Sequence, residues 1–483
     1  MEMANKGRKF AKGCAIAVVV FAVVAEVALS CISLCARLHR SSGVKALWYQ
    51  KLADCGVVFA QYKVAMMYQE GVGVQKDPAK AVEWLRKAAR RDHILAQNRL
   101  GLAYEYGFGV EKDYGKAKWW YRKAANRGYA RAQNNLALMY KYRNDGPPDY
   151  AAAAKWFRLA ADQGYVRAQC QLGILYKNGQ GVEKDYVEAL KWFGLSAARG
   201  YAEGQNHLGT MYRDGLGVKK DYVEAMKWFR MAADDGDAWA QAQVGDLYFF
   251  GRGVEKNETE ALKWYRESAE NGCAVGQRRL GWMLEYSKSV KRDYLEAAKW
   301  FLKASEQGDA DGQFNLGIMY EYGRGVKRDA TEAVKWYRKS AVQGHADAQN
   351  NLGVMLINGK GVATNEVEGV KWFRKAAEQG NRLAQSNLGM MLREGRGVEK
   401  DYGAAMEWCL KAAKRGDRDA MEQIGKMYEY GQGVATNEAE AVKWYSKAAE
   451  KGNKDAKAAL QALQDRQKTR KEQARKVPAT DEA

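Results

Sequence analysis

The chain has 483 residues, 47% of them hydrophobic, with 15 tryptophans, 49 glycines, only four prolines and a formal charge of +20. A prior of roughly 150 residues per domain would give three globular domains, but the glycine-rich, proline-poor mix suits many short helices joined by turns. Seven cysteines do not make a disulfide framework. Cys14, Cys31 and Cys35 share one apolar stretch, while Cys55, Cys170, Cys273 and Cys409 fall at unrelated places and read as reduced thiols.

In chain order, a basic tail over residues 1–13 (Lys6, Arg8, Lys9, Lys12) precedes an apolar segment over 14–36, which Glu26 alone interrupts. About 20 apolar residues span a bilayer, so this segment is expected to be a single-pass anchor. The alternative is a cleavable signal peptide, with small residues around Ala28-Leu29-Ser30. Orientation is expected to leave the repeats outside the cytoplasm, and cleavage would give a secreted or periplasmic chain. Arg37, Arg40 and Lys45 beyond the span work against that orientation, and the unpaired thiols do too.

From residue 48 onward a tryptophan returns every 36 residues: Trp48, Trp84, Trp120, Trp156, Trp192, Trp228, Trp264, Trp300, Trp336, Trp372, Trp408 and Trp444. A period of this size marks an array whose units bury their apolar faces only by stacking. In Asp347–Arg382, Ala348, Leu352, Gly353, Met355 and Leu356 predict a first helix, here the A helix, ended by Asn358-Gly359-Lys360-Gly361. Asn365, with Glu368 three residues on, predicts the cap of a second, B helix, and Asp77-Pro78 starts the corresponding helix earlier in the chain. Val370, Phe373, Ala376 and Ala377 surround Trp372, and Gly380 stops the helix. The indoles are expected to key the hairpins together.

The internal copies agree on a Leu-Gly pair (Leu100-Gly101, Leu316-Gly317) and on loop glycines (Gly107/Gly109 through Gly431/Gly433). The consensus LGxMYxxGxGVxKDYxEAxKWFRxAAxxG resembles the Sel1-like repeat, a relative of the tetratricopeptide repeat, over 59–454. The resemblance implies an all-α fold, a right-handed α/α superhelical solenoid of about eleven helix-loop-helix units. Two loops depart from the pattern, Arg143–Pro148 and Tyr286–Val290, and Asp92 stands where later copies have glycine. Residues 45–58 read as an N-terminal capping helix. Asp455–Leu463 begins a twelfth helix within a C-terminal helix and charged tail, 455–483, expected to fray.

No CxxC, HExxH, GxSxG or Walker-type loop appears. His93 and His345 share a phase but lie seven units apart, so no metal, cofactor or catalytic residue is expected. The repeated GxGV reads as a turn. Some Sel1-like proteins resemble penicillin-binding or β-lactamase-like envelope enzymes, but those carry paired cysteines within each repeat, which this chain lacks.

In tetratricopeptide-like arrays the A helices line a concave groove. Positions there vary while the packing positions stay fixed. Asn98, Asn134, Asn206 and Asn350 form a ladder suited to gripping a peptide backbone, with Lys141, Lys177 and Arg213 supplying charge. Arg278 and Trp282 would form a second patch. Basic runs on B helices read as a solvated convex face, with anionic lipid next and nucleic acid unlikely, since the interleaved aromatics are core. The expected function is a non-enzymatic scaffold or adaptor at a membrane or cell envelope that binds a protein or peptide. The alternatives are an envelope enzyme and a soluble cytoplasmic adaptor.

Overall fold

The computed structural model describes residues 42–142 and 146–476. The basic tail 1–13, the apolar segment 14–36, Arg143–Asp145 and residues 477–483 lie outside the described residues. Among those described there are twenty-four helices and no strand. No helix among them is long and apolar enough to cross a membrane. The helices fall into two compact units, 1–221 and 222–483.

The first unit opens with the helix Ser42–Asp54. It continues with A helices Val58–Glu70, Ile94–Tyr106, Ala130–Tyr142, Val166–Asn178 and Ala202–Asp214, separated by B helices Pro78–Arg90, Tyr114–Asn126, Tyr150–Asp162 and Tyr186–Ala197. In the second unit six A helices, from Ala238–Phe250 to Arg418–Tyr430, alternate with seven B helices, from Tyr222–Asp234 to Glu438–Glu450, and Lys454–Lys476 closes the series. Each unit is an all-α solenoid in which a helix packs on those before and after it.

Local chemistry sets these boundaries. Asp113, Asp293 and Asn365 hold the first turn of their B helices by accepting from Lys116, Glu296 and Glu368 backbone N–H groups, which satisfies donors that a helix start leaves open. His93 and His345 do the same for A helices, each Nδ1 accepting from the N–H three residues on. Their shared phase is therefore a capping position. A helices end on glycines such as Gly107 and Gly323 in the left-handed conformation. Asp92 adopts the same conformation at φ 62°, and its side chain accepts from Gln97.

Trp84, Trp120, Trp192, Trp264, Trp336 and Trp372 are buried as expected, while Trp156, Trp228, Trp300, Trp408 and Trp444 are only partly so. The fully buried ring is the next residue, as in Tyr121, Phe157, Phe193, Phe301, Tyr337 and Tyr445. These rings lie against the glycine of the Leu-Gly pair, where a Cβ at Gly101, Gly317 or Gly353 would meet the ring at 2.6 Å. The pair therefore serves close helix approach. The tryptophan carries over its ring the lysine three residues on, with Lys87, Lys339 and Lys411 3.8 to 4.0 Å from the centres of Trp84, Trp336 and Trp408. Much of the B-helix basic charge is thus occupied: Lys191, Lys263, Lys335 and Lys443 also pair with the glutamate three residues before.

Stacking is held by two ladders, one of glutamine hydrogen bonds and one of close glycine contacts. Gln61, Gln97, Gln133, Gln169 and Gln205 each donate from Nε2 to the carbonyl eight residues earlier, at the C-terminus of the preceding B helix or, for Gln61, of the opening helix. Gln241, Gln277, Gln313, Gln349 and Gln385 repeat this in the second unit. A buried amide there satisfies a carbonyl that the helix end would otherwise orphan. In the second ladder the second loop glycine touches the start of the previous B helix. A Cβ at Gly181 or Gly325 would collide with the backbone of Tyr150 or Tyr294.

The loop at 286–290 replaces that contact with hydroxyls. Ser287 and Ser289 both donate to Glu258 at the first position of the previous B helix. The closing helix is docked as far as Arg470: Leu463 is buried, Arg466 pairs with Glu429, and Gln467 and Arg470 donate to Glu438. At the other end Gln61 bonds Ala53 and Arg91 bonds the Gly56 carbonyl. The helix Ser42–Asp54 is thus held as a B helix would be.

Candidate functional site

Consecutive A helices approach one another more closely than consecutive B helices do, so the A side chains converge on one face in each unit. The asparagines that meet across that face are 37 residues apart rather than 36. Asn135 Nδ2 donates to Asn98 Oδ1 at 3.1 Å and Asn387 Nδ2 to Asn350 Oδ1 at 3.0 Å. The offset arises because a side chain reaches the next helix one position along.

In the first unit, Asn98 and Asn134 are buried. The Asn134 amide donates to Asn135, and its own oxygen has no hydrogen-bond partner; the same holds for the Asn206 side-chain oxygen. Lys141 is buried too, and Nζ donates to Gln171 at 2.7 Å. Gln171 donates in turn to Glu203, whose other oxygen accepts from Tyr201 at 2.7 Å. Lys177 is partly exposed, and Arg213 pairs with Asp214.

The structure brings together a group that periodicity overlooked. The Cys170 sulfur, a Glu203 oxygen and a His207 ring nitrogen lie within 4.8 Å of one another. Cys170 and His207 have the same 37-residue relation as Asn98 and Asn135, and comparing cysteines and histidines by strict 36-residue phase hides it. The Cys170 thiol is pushed up by burial and by Glu203. His207, stacked on Phe193, is pushed down to about 4 by burial, with Lys177 adding to the effect. It is neutral at physiological pH, with a lone pair to offer.

In the second unit, Arg278 pairs with Asp309 and Asp311 at 3.1 and 3.4 Å, and Asp311 also meets His345 at 3.2 Å. The hydrogen bond to His345 holds the Asp311 carboxyl below the usual range. Trp282 is 38% exposed and packs edge-on against Phe249 and beside Tyr286. Asn350 donates to Asn351 at 3.3 Å.

The A-helix position that holds Lys141, Lys177 and Arg213 has a structural partner in several units as well. Tyr121, Tyr337 and Tyr445 donate to Glu105, Glu321 and Glu429 at 2.5, 2.7 and 2.7 Å. Where the ring is Phe157 or Phe193, the A-helix position holds Lys141 or Lys177. Tyr265 finds Asp246 instead. The A-helix position is therefore matched to a core hydroxyl in some units and holds a cation in others, while Glu285, opposite Phe301, pairs with Arg324.

The repeat geometry agrees with sequence comparison. The model of the Sel1 repeat family matches eleven times without a missed unit, from 58–93 and 94–129 through to 418–453. The chain belongs to the Sel1 repeat family. Among solved Sel1 repeat proteins, c5321, a protective antigen of uropathogenic Escherichia coli strains displaying an SLR fold, is 38% identical, with 87% of this chain and 90% of that one covered and a TM-score of 0.63. A Sel1 repeat protein from Oxalobacter formigenes is 32% identical over 68% of this chain and 93% of its own, with a TM-score of 0.45. A search of curated proteins gave no match. Sel1 repeats generally mediate protein–protein interaction, and proteins built from them are typically non-enzymatic scaffolds.

Proposed function

We propose that this Sel1 repeat protein is a non-enzymatic adaptor that takes an extended segment of a partner protein along the A-helix face of its first unit. The observation that carries this reading is the pair of side-chain oxygens on Asn134 and Asn206, buried without a hydrogen-bond partner. A buried acceptor left open costs about 1–3 kcal/mol, which a donor from a bound main chain would recover. Lys177 and Arg213 flank these acceptors with positive charge, favouring an acidic segment. Asn98 and Asn350, engaged with their neighbours, would set the register of the face. Arg278 and Trp282 would form a separate contact patch on the second unit, where the exposed indole is the anchor.

The apolar segment 14–36 would place the repeats at a membrane or, after cleavage, in the envelope or outside the cell. The antigenic role of the E. coli relative is in keeping with exposure beyond the cytoplasm. A photo-crosslinking residue installed in turn at Lys177, Arg213 and Trp282 and, as controls, at Lys339 and Lys375 tests the reading in cells. Capture of one and the same partner at the first set, with little at the second, supports it. Equal capture at both sets, or capture through the B-helix lysines alone, removes it.

A further inference from the structure

We infer that Cys170, Glu203 and His207 form a binding site for a zinc-like divalent transition-metal ion on the A-helix face of the first unit. The three donor atoms already lie within 4.8 Å of one another, so small side-chain rotations bring them to a common centre about 2.0–2.3 Å from each. Glu203 and His207 are four residues apart on the helix Ala202–Asp214, which puts them one turn apart on the same side. Cys170 comes from the preceding A helix, Val166–Asn178, so the ion would tie two repeats together. One sulfur, one imidazole nitrogen and one carboxylate oxygen are a zinc donor set, and three protein ligands leave a fourth position for water or a partner's side chain.

Two further features support a built site. Glu203 is oriented from outside, by Tyr201 on one oxygen and by Gln171 on the other, as carboxylates that hold metals are. Phe193 stacks on the His207 ring and fixes its plane. The residue types are also particular to this place in the array. At the phase of Cys170 other units carry Asn98, Asn134, Ala242, Phe314 and Ser386, and at the phase of His207 they carry Asn135, Gln171, Asn315 and Asn387. Binding replaces the thiol proton, which passes to solvent, by a metal–sulfur bond. The resulting thiolate and the Glu203 carboxylate balance the two charges of the ion. Lys141 and Lys177 stand close enough to favour the thiolate, and they also oppose the cation, which sets an upper bound on affinity.

The other units supply the test variants, because their residues already fit this lattice. Cys170→Asn and His207→Asn recreate the Asn98·Asn135 arrangement, so folding should be preserved, which a melting curve checks. The full-length chain, reduced and stripped of metal, is titrated with zinc by calorimetry and then with cobalt followed by absorption. Wild type should bind one equivalent that either variant lacks, or binds at least about a hundredfold more weakly, above whatever the remaining thiols bind in all three proteins. The cobalt form should show a thiolate charge-transfer band and the strong visible bands of a four-coordinate ion, and Cys170→Asn should abolish the former. Identical zinc isotherms for folded wild type and variants, or a cobalt spectrum without the Cys170-dependent sulfur band, would overturn the assignment. Neither result bears on whether this face binds a peptide.

Discussion

Tyr337→Phe isolates one rung of the tyrosine–carboxylate ladder. The ring is fully buried, and its hydroxyl donates to Glu321 at 2.7 Å. Phe157, Phe193, Phe301 and Phe373 occupy the same place in other units, so removing the oxygen leaves the packing of the ring intact. What is lost is a hydrogen bond to a charged acceptor, worth about 1.5–3 kcal/mol net. Glu321 is partly exposed, so water recovers some of it, and a loss of about 1.5 kcal/mol is expected. Glu321→Lys in the wild-type background should cost a comparable amount by stranding the hydroxyl. The double variant reproduces the Lys141·Phe157 pairing and should lie well above the sum of the singles, with a coupling of about 1 kcal/mol or more. Repeat arrays unfold with incomplete cooperativity, so the readout is the exchange protection of amides in Ala310–Tyr322 and Ala330–Val342 alongside urea denaturation. A Tyr337→Phe chain as protected as wild type, or strictly additive singles, would refute the matched-pair reasoning.

Gly325→Ala should be among the most damaging single-methyl additions. The position has φ 67° and faces the Tyr294 carbonyl with no room for a Cβ, so strain and collision together should exceed about 2 kcal/mol, seen as lost protection on both sides of that loop. Phe301→Ala should cost roughly 3–5 kcal/mol and more than Trp300→Ala, because Phe301 is fully buried and Trp300 is not; paired denaturation curves decide the order. Lys256, Ser289 and Ser287 hold the Glu258 carboxyl down to about 2, against about 4.3 in an unfolded chain. A depressed folded value contributes stability above the unfolded value and loses it as pH falls through the folded one. The advantage of wild type over Glu258→Gln should therefore be full at pH 6 and fade between about pH 4.5 and pH 2, in melting curves taken across that range.

Repeat length, helix starts and the glycine stops were legible because each depends on a local rule that recurs in every copy. Periodicity also pointed to Trp372 and its equivalents, since the indole is the largest recurring residue. Trp372 and five equivalents are indeed buried, but others such as Trp300 and Trp408 are only partly so, whereas the smaller neighbouring ring fits wholly under glycines such as Gly353. The glutamine ladder was equally regular in the sequence. A polar residue at a buried phase carries no local mark of the carbonyl eight residues back, and only the fold supplies that partner.

On the A face, Asn134 and Lys177 were readable as variable positions, but the engagement of Asn98 by Asn135 and of Arg278 by Asp309 and Asp311 was not. The asparagine pairing follows a 37-residue offset and the Arg278 pairings follow offsets of 31 and 33, set by side-chain direction between adjacent helices. The 37-residue offset also hid Cys170 and His207, with Glu203 one turn before the latter. A scan for chemically distinctive residues at i and i+37, with an acid one turn before the second, would have found them.

In the proposed function the first unit's A face is the one that a partner meets. Once crosslinking has identified that partner, the decisive measurement is its affinity for Lys177→Glu beside that for Lys375→Glu, a B-helix lysine stacked on Trp372. At least tenfold weaker binding is expected for the first, about 1.4 kcal/mol or more, and binding within twofold of wild type for the second. Undiminished affinity in Lys177→Glu together with a loss in Lys375→Glu would contradict that proposal.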